Sequence, residues 1–190
     1  MSRLFLVRHG ETEWNALGKL QGHTDIELND RGREQAHALA LSVRAIAITS
    51  VWTSDLSRAR QTGEIIAAAL GLPAPSVDVE LRERRFGVFE GLTRDECALH
   101  HRDAWKAWLD RTGTPQGAET REVVLARMTR ALNRVVVATA GAALVVTHGG
   151  VMRSWLMEHL GATVGPIMNG SIHAVDHDGT RFRLVSPEST

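Results

Sequence analysis

Leu4-Phe5-Leu6-Val7-Arg8-His9-Gly10 is the stretch that decides the fold, because it is a short apolar run that stops at a histidine and a glycine. A second stretch repeats the pattern, Ala143-Leu144-Val145-Val146-Thr147-His148-Gly149-Gly150. Short, continuous apolar runs are typical of strands buried on both faces of a parallel sheet. In open α/β sheets ligands bind beyond the carboxyl ends of the strands, so the two histidines are expected to lie together at one edge.

Working outward from these runs, strand-like segments alternate with helical ones, the order typical of an α/β fold. Thr93 and Glu96 have the spacing of a capping box, and Asp55 is a candidate helix N-cap. We predict strands at 4–8, 50–53, 77–81 and 143–147, helices from 30 onward and at 56–70, 93–109, 119–139 and 151–160, and a closing hairpin of 171–176 and 181–185 around Asp178-Gly179.

The composition describes an ordinary globular chain and excludes several classes of protein. Its 190 residues suit one domain, 1–190, and 22 basic against 22 acidic residues leave no cationic surplus for nucleic acid. No apolar run approaches the roughly 18 residues that cross a bilayer, so we predict no membrane partner and a cytoplasmic location. Cys97 is the single cysteine, which excludes an internal disulfide and a cysteine-rich zinc module.

The residues after the first run suit phosphoryl transfer to a histidine. A neutral imidazole such as that of His9 is a good nucleophile near neutral pH. Arg8 supplies a fixed cation beside it, and Thr12 and Asn15 can donate neutral hydrogen bonds from the following loop. Positioning and charge compensation of this kind dominate the catalysis of phosphoryl transfer.

Further candidate groups come from other parts of the chain. Arg58 lies in the first turn of a predicted helix, and His148 supplies another donor. The helix after Gly149-Gly150 is expected to direct its free N–H groups toward the crevice and favour an anion there. Glu83 follows a predicted strand and is the best candidate for the acid and base of the reaction.

Four blocks together resemble the histidine phosphatase superfamily, also called the phosphoglycerate-mutase-like family. The resemblance spans residues 3 to about 176, and all four blocks stand in the family's order. They are Arg8-His9-Gly10-Glu11-Thr12 with Asn15, Ser54-Asp55-Leu56-x-Arg58-Ala59-x-Gln61-Thr62, Leu81-x-Glu83-x-x-Phe86-Gly87 with Glu90-Gly91, and Thr147-His148-Gly149-Gly150.

The resemblance implies roles for these residues and an architecture. His9 becomes phosphohistidine, Glu83 is the proton donor and later the base, and the phosphate is held by Arg8, Arg58 and His148. Further phosphate-pocket contacts are implied for Asn15, Thr12, Gln21, Gly22 and the Gly149 backbone. The implied fold is a three-layer α/β/α sandwich around a mostly parallel sheet, with a small helical cap at about 92–117. The family chemistry uses no metal or organic cofactor, the partner is a small phosphorylated metabolite, and a homodimer is a common assembly although no stretch identifies an interface.

Two alternatives to a phosphatase remain open. A cofactor-dependent phosphoglycerate mutase shares the core, but mutases carry a longer basic insertion and have His and Tyr where this chain has Arg85 and Phe86. A non-catalytic phospho-ligand-binding module would keep the fold alone, yet no charged member of the inferred pocket is missing. The sequence therefore favours a phosphomonoester hydrolase.

Several other residues receive structural interpretations. Cys97, His100 and His101 share a helical face that is expected to be solvated, and His173 and His177 are expected on the hairpin surface. His23 follows Gln21-Gly22 and is a weaker candidate for substrate contact. Trp105, Trp108 and Trp155 are expected to pack the core or the cap.

Overall fold

The computed structural model describes residues 2–161 and 164–185, and a single mixed sheet lies at the centre of this described part. Its strands are β1 (Ser2–Arg8), β2 (Ile48–Thr53), β3 (Ser76–Val77), β4 (Ala142–Thr147), β5 (Ile172–His177) and β6 (Phe182–Leu184). They stand in the order β3-β2-β4-β1-β5-β6, and β1 to β4 are mutually parallel. β5 runs antiparallel to β1, and β6 runs antiparallel to β5. The predicted closing hairpin around Asp178-Gly179 is confirmed as β5 and β6.

Helices cover both faces of the sheet, which confirms the three-layer α/β/α sandwich. The helices are α1 (Glu13–Ala16), α2 (Asp30–Ser42), α3 (Ser57–Leu70), α4 (Arg94–His100), α5 (Arg102–Leu109), α6 (Arg121–Ala138) and α7 (Gly149–Leu160). Side chains of β1 alternate between the faces: Leu4 and Leu6 pack with α6 and α7, whereas Phe5 and Val7 pack with α2 and α3. Full burial of each such side chain stabilises the folded state by about 1.5–3 kcal/mol, so burial on both faces favours a position for β1 inside the sheet.

The parallel pairing of β1 and β4 brings the two histidines to one edge. Arg8 is in register with Thr147, and the backbone N–H of His9 donates to the carbonyl of Thr147 at 3.0 Å. His9 and His148 therefore follow neighbouring strands at the same level, as the two apolar runs predict.

The predicted strand at 77–81 is wrong over most of its length. Only Ser76–Val77 pairs with β2, and Val79–Leu81 forms a 3-10 helix. Side chains satisfy the carbonyls that a neighbouring strand would otherwise bind: Thr147 donates to Leu81 O at 2.8 Å and Arg127 to Glu80 O at 2.8 Å. The pattern of residues 77–81 could not reveal these contacts, because Arg127 and Thr147 lie far along the chain.

The predicted cap helix at 93–109 is two helices. The backbone turns at His101 (φ −133°, ψ 42°), and the imidazole packs edge-on against Phe89 with ring centroids 5.9 Å apart. Trp105 and Trp108 pack on the same phenyl ring, so the prediction that they pack the cap is confirmed, and so is the capping box of Thr93 with Glu96. Cys97 is fully buried, which contradicts the solvated face expected for it.

Three smaller predictions are decided by side-chain contacts. Asp55 does not cap α3, because Leu56 occupies the N-cap position and the Asp55 carboxylate instead accepts from Arg82 Nε at 2.7 Å. His177 is buried against Phe182 rather than exposed, with ring centroids 4.6 Å apart. Trp155 is fully buried, as predicted. Among the helices of residues 2–161 and 164–185, none is long and apolar enough to cross a membrane.

Candidate active site

Two buried imidazoles form the centre of the site. The rings of His9 and His148 have centroids 5.0 Å apart, and the side chains are almost inaccessible to solvent. Nδ1 of His9 lies 2.6 Å from the carbonyl oxygen of Gly10. Because a carbonyl oxygen can only accept, Nδ1 carries the proton and Nε2 keeps its lone pair. Burial, followed by the charges of Arg58 and Arg8, holds the pKa of His9 well below its usual value, so the ring is neutral near pH 7.

His148 stands behind this ring and is held in one tautomer. Nε of Arg58 donates to Nδ1 of His148 at 3.3 Å, so Nδ1 is unprotonated and Nε2–H donates to the Ser54 hydroxyl at 2.7 Å. Burial, with Arg58 as the next cause, holds the pKa of His148 well below its usual value. In this arrangement His148 is neutral and orients Arg58.

Two guanidinium groups, that of the fully buried Arg58 and that of the partly buried Arg8, flank the histidines. Arg58 is fully buried and donates to the carbonyls of Gly22 at 2.8 Å and Thr24 at 2.9 Å, and burial lowers its pKa to about 10. Arg8 donates from Nη1 to Ile167 O at 2.5 Å, whereas its buried Nε has no hydrogen-bond partner among the described residues. Burial lowers the pKa of Arg8. A buried donor without a partner is costly, and an anion in the adjoining cavity is the chemical group that would satisfy it.

The Glu83 carboxylate lines the same cavity and is held at the start of α7. It is 8% exposed, and its oxygens accept from the backbone N–H groups of Gly150 (2.8 Å), Val151 (2.8 Å) and Arg84 (2.7 Å). The prediction that the first amides of α7 are free for a ligand anion is therefore wrong for Gly150 and Val151, because Glu83 already occupies them. The helix N-terminus holds the candidate acid instead of the phosphate.

Several of these groups line a cavity of about 290 Å³, and most of its charged lining residues are cationic. Seven of the residues proposed from the sequence line it: Arg8, His9, Asn15, Gln21, Arg58, Glu83 and Gly149. Lys19, Arg94 and Arg153 also line it, and Glu83 is the one acidic lining residue among those described. A cavity with this charge favours a small anion.

Three residues proposed from the sequence do not reach the cavity wall: Thr12, Gly22 and His148. Thr12 caps α1, where its hydroxyl and the Asn15 side chain form a capping box. Gly22 acts through its carbonyl, which binds Arg58. His23 does not line the cavity either, since its Nε2 lies 2.8 Å from the carbonyl of Glu83 and donates to it.

Asn169 is a site residue that the sequence analysis missed. Its Nδ2 donates to the carbonyls of His9 (3.0 Å) and Gly10 (3.2 Å) and to Oδ1 of Asn15 (3.2 Å). Oδ1 of Asn15 also accepts from Thr12, so Nδ2 is the Asn15 atom available to a ligand. The only signal in the sequence was the turn Asn169-Gly170-Ser171, which carries no information about a partner 160 positions away.

Across residues 2–161 and 164–185, no group of three or more His, Cys, Asp and Glu side chains is arranged to hold a metal ion.

The chain is similar to known proteins in both sequence and structure. The family profile described as histidine phosphatase superfamily (branch 1) matches residues 4–190. The chain is 43% identical over 158 residues to phosphoglycerate mutase-like protein 4 of Arabidopsis thaliana, covering 80% of this chain and 69% of that protein. It is 33% identical over 181 residues to a metal-independent phosphoserine phosphatase of the same plant, covering 92% and 76%. The solved structure of a mycobacterial glucosyl-3-phosphoglycerate phosphatase with VO3 superposes with a TM-score of 0.86 at 30% identity, covering 96% of both chains.

Proposed function

The chain belongs to the histidine phosphatase superfamily, and from that membership we propose that it is a metal-independent phosphomonoester hydrolase that works through a phosphohistidine at His9. One observation carries the proposal: a neutral imidazole with its Nε2 lone pair available borders a cavity whose charged lining residues are mostly cationic, and the Glu83 carboxyl lines the same cavity. Two of the similar proteins are phosphatases, of phosphoserine and of glucosyl-3-phosphoglycerate, which supports hydrolysis of a small phosphorylated metabolite.

In the first step, Nε2 of His9 attacks phosphorus and the bond between phosphorus and the ester oxygen breaks. The leaving alkoxide takes a proton from Glu83. Oε1 of Glu83 accepts two backbone N–H groups and Oε2 only one, so Oε2 is the oxygen with room for that proton. The positive charge that develops on the phosphorylated ring is stabilised by the hydrogen bond from Nδ1–H to Gly10 O.

In the second step, water attacks the phosphohistidine and gives its proton to the Glu83 carboxylate. The bond between nitrogen and phosphorus breaks, and the electron pair returns to Nε2. Arg8 offers its free Nε to a phosphoryl oxygen, and Arg58 places its charge beside the same group. His148 acts in both steps by fixing Arg58, and Asn15, Gln21 and the Gly149 backbone complete the phosphate pocket.

The test is phosphate release from p-nitrophenyl phosphate in the presence of EDTA. We expect turnover by the native chain, no measurable turnover by His9→Ala, and near-native turnover by the control His100→Ala, whose side chain is exposed on α4. A rapid quench should trap an acid-labile phosphoenzyme in the native chain and none in His9→Ala. Activity that disappears with EDTA and returns with metal would falsify the proposal, and isomerisation of a phosphoglycerate faster than hydrolysis would identify a mutase.

A further inference from the structure

Glu90 belongs to the third sequence block, yet nothing in the proposed hydrolysis uses it. Its carboxylate lies between two segments that are far apart in the chain. Oε1 accepts from the backbone N–H groups of His23 at 3.2 Å and Phe86 at 3.0 Å. Oε2 accepts from the backbone N–H of Thr24 at 3.2 Å and from its hydroxyl at 2.9 Å. Glu90 therefore joins the loop between α1 and α2 to the segment that follows the candidate proton donor.

The same loop holds the guanidinium group of Arg58. Nη2 donates to the carbonyl of Gly22 at 2.8 Å, and Nη1 donates to the carbonyl of Thr24 at 2.9 Å. Together with the bond from Nε to His148, these contacts with the described residues use three of the five N–H groups. One N–H on each terminal nitrogen is left for a phosphoryl oxygen, and its direction depends on where the loop carbonyls lie.

Thr24 and Gly22 connect the carboxylate with the guanidinium. Thr24 donates to Glu90 through its N–H and hydroxyl, and its carbonyl accepts from Arg58. Gly22 has φ +53°, and a Cβ built on it would lie 2.1 Å from Oε1 of Glu90. Glycine at this position thus allows the carboxylate to approach the loop closely, in a backbone conformation that other residues rarely adopt.

We propose that Glu90 is a positioning residue, which sets the direction of Arg58 by fixing the carbonyls of Gly22 and Thr24. The inference rests on the proposed function, because Arg58 is the group placed beside the transferring phosphoryl group. Glu90 is not among the described residues that line the cavity, so its effect reaches the phosphate through the loop. A carboxylate suits this place because it accepts several hydrogen bonds, donates none and strengthens each of them by its charge.

The experiment is a double-mutant cycle in which calorimetry measures the binding of inorganic phosphate. Glu90→Gln keeps the shape of the side chain, but it removes the charge and replaces one accepting oxygen with a donating NH2 group. The second substitution is Arg58→Lys, whose ammonium group keeps the cation but cannot span both carbonyls. The matched control is Glu96→Gln. The partly buried Glu96 carboxylate likewise accepts from the N–H and hydroxyl of a threonine, Thr93, in the capping box of α4.

We expect Glu90→Gln to weaken phosphate binding roughly tenfold in the native background and less than about twofold in the Arg58→Lys background. Glu96→Gln should change the affinity little in either background. A residue that only supports the fold would weaken binding by the same factor in both backgrounds. Equal factors would therefore overturn the inference, as would unchanged binding in Glu90→Gln or a native chain that binds no phosphate.

Thermal unfolding verifies that each variant is folded. If Glu90→Gln does not fold, Thr24→Val provides the same comparison, because it removes only the hydroxyl contact with Glu90. Its expected loss of affinity is smaller, roughly threefold, and should likewise disappear in the Arg58→Lys background. A Thr24→Val loss that is equal in both backgrounds would overturn the inference.

Turnover of p-nitrophenyl phosphate by the native chain tests the proposed function separately. A chain that binds phosphate with the expected cycle but shows no turnover would overturn hydrolysis and leave the role of Glu90 in anion binding intact. An active chain in which Glu90→Gln has equal effects in both backgrounds would overturn the inference alone.

Discussion

At the scale of single residues, the close approach of a glycine and a carboxylate leads to the first prediction. A Cβ built on Gly150 would lie 2.7 Å from Oε1 of Glu83, so Gly150→Ala should displace the carboxylate from the amides that orient it. We expect kcat to fall roughly 10- to 100-fold, most strongly for phosphate esters with poor leaving alcohols, because those depend most on the proton donor. The free energy of unfolding should change little, because the preference of about 1 kcal/mol that alanine has over glycine in a helix offsets the cost of moving the carboxylate.

The measurement is kcat for a series of aryl and alkyl phosphates, with thermal unfolding alongside. Gly165→Ala is the control, because a Cβ there meets nothing within 4 Å. An unchanged kcat in Gly150→Ala, or an equal loss for all leaving groups, would count against Glu83 as the acid.

Residue identity predicted the charged members of the site better than its polar members. Arg8 ends β1 and His9 directly follows it, and Arg58 lies in the first turn of α3. Glu83 lines the same cavity from the irregular segment after residues 79–81. Thr12 stands in the same motif, yet its hydroxyl turns back to cap α1. The direction of a side chain within a loop depends on backbone angles that residue type does not determine. Asn169 reaches the site only through the folding of a distant loop, which no local pattern records.

At the scale of elements, α6 holds the irregular segment that carries Glu83. Arg127 donates to the carbonyls of Glu80 (2.8 Å), Arg82 (2.6 Å) and Glu83 (2.8 Å), and its other contacts are to the Glu119 carboxylate at 2.9 Å. Arg127→Met keeps most of the apolar stem but removes these bonds and leaves Glu119 without this partner. We expect a loss of about 3–5 kcal/mol in the free energy of unfolding, together with lower kcat.

Urea unfolding and phosphatase assays check this, with Arg130→Gln as the control. Arg130 lies one turn along α6 and pairs with Glu80 at the surface, so its loss should cost no more than about 1 kcal/mol. Equal effects of the two substitutions would show that Arg127 is an ordinary surface cation. Arg127→Lys should not restore the native values, because an ammonium group cannot reproduce the fork that spans three carbonyls.

Elements with strong internal patterns were predicted correctly, and elements held by distant side chains were not. The buried runs of β1 and β4 have enough apolar residues to specify a central strand by themselves. Residues 79–81 are shaped instead by Arg127 and Thr147, which lie 45 or more positions further along the chain. The break at His101 likewise depends on the Phe89 ring, which is packed from another segment.

At the scale of the whole molecule, buried histidines make stability dependent on pH. The pKa values of His9, His148, His23 and His173 are all lowered, in each case mainly by burial. In the unfolded chain a histidine titrates near its ordinary value of about 6.5, so the unfolded state binds protons first as the pH falls. The contribution of these groups is therefore complete above about pH 6.5 and is lost as the pH drops toward the folded-state values.

We expect the free energy of unfolding to decrease between pH 7.5 and 5, by up to about 1.4 kcal/mol per pH unit below about 6.5 for each histidine that stays neutral in the folded state. Urea unfolding at pH 7.5, 6.5 and 5.5 measures this. Replacing His148 by Gln should reduce the change of the unfolding free energy with pH, whereas replacing the exposed His100 by Gln should leave that change as it is. Stability that is constant or rises toward pH 5.5 would contradict the expectation.

The position of β1 in the sheet has a consequence for folding during translation. This strand is synthesised before both of its neighbours, which are β4 at residues 142–147 and β5 at residues 172–177. The apolar segment that ends at His9 therefore remains without its strand partners until β4 and β5 have been synthesised. Nascent chains arrested before residue 142 should thus stay open to proteolysis at this segment and attract chaperones.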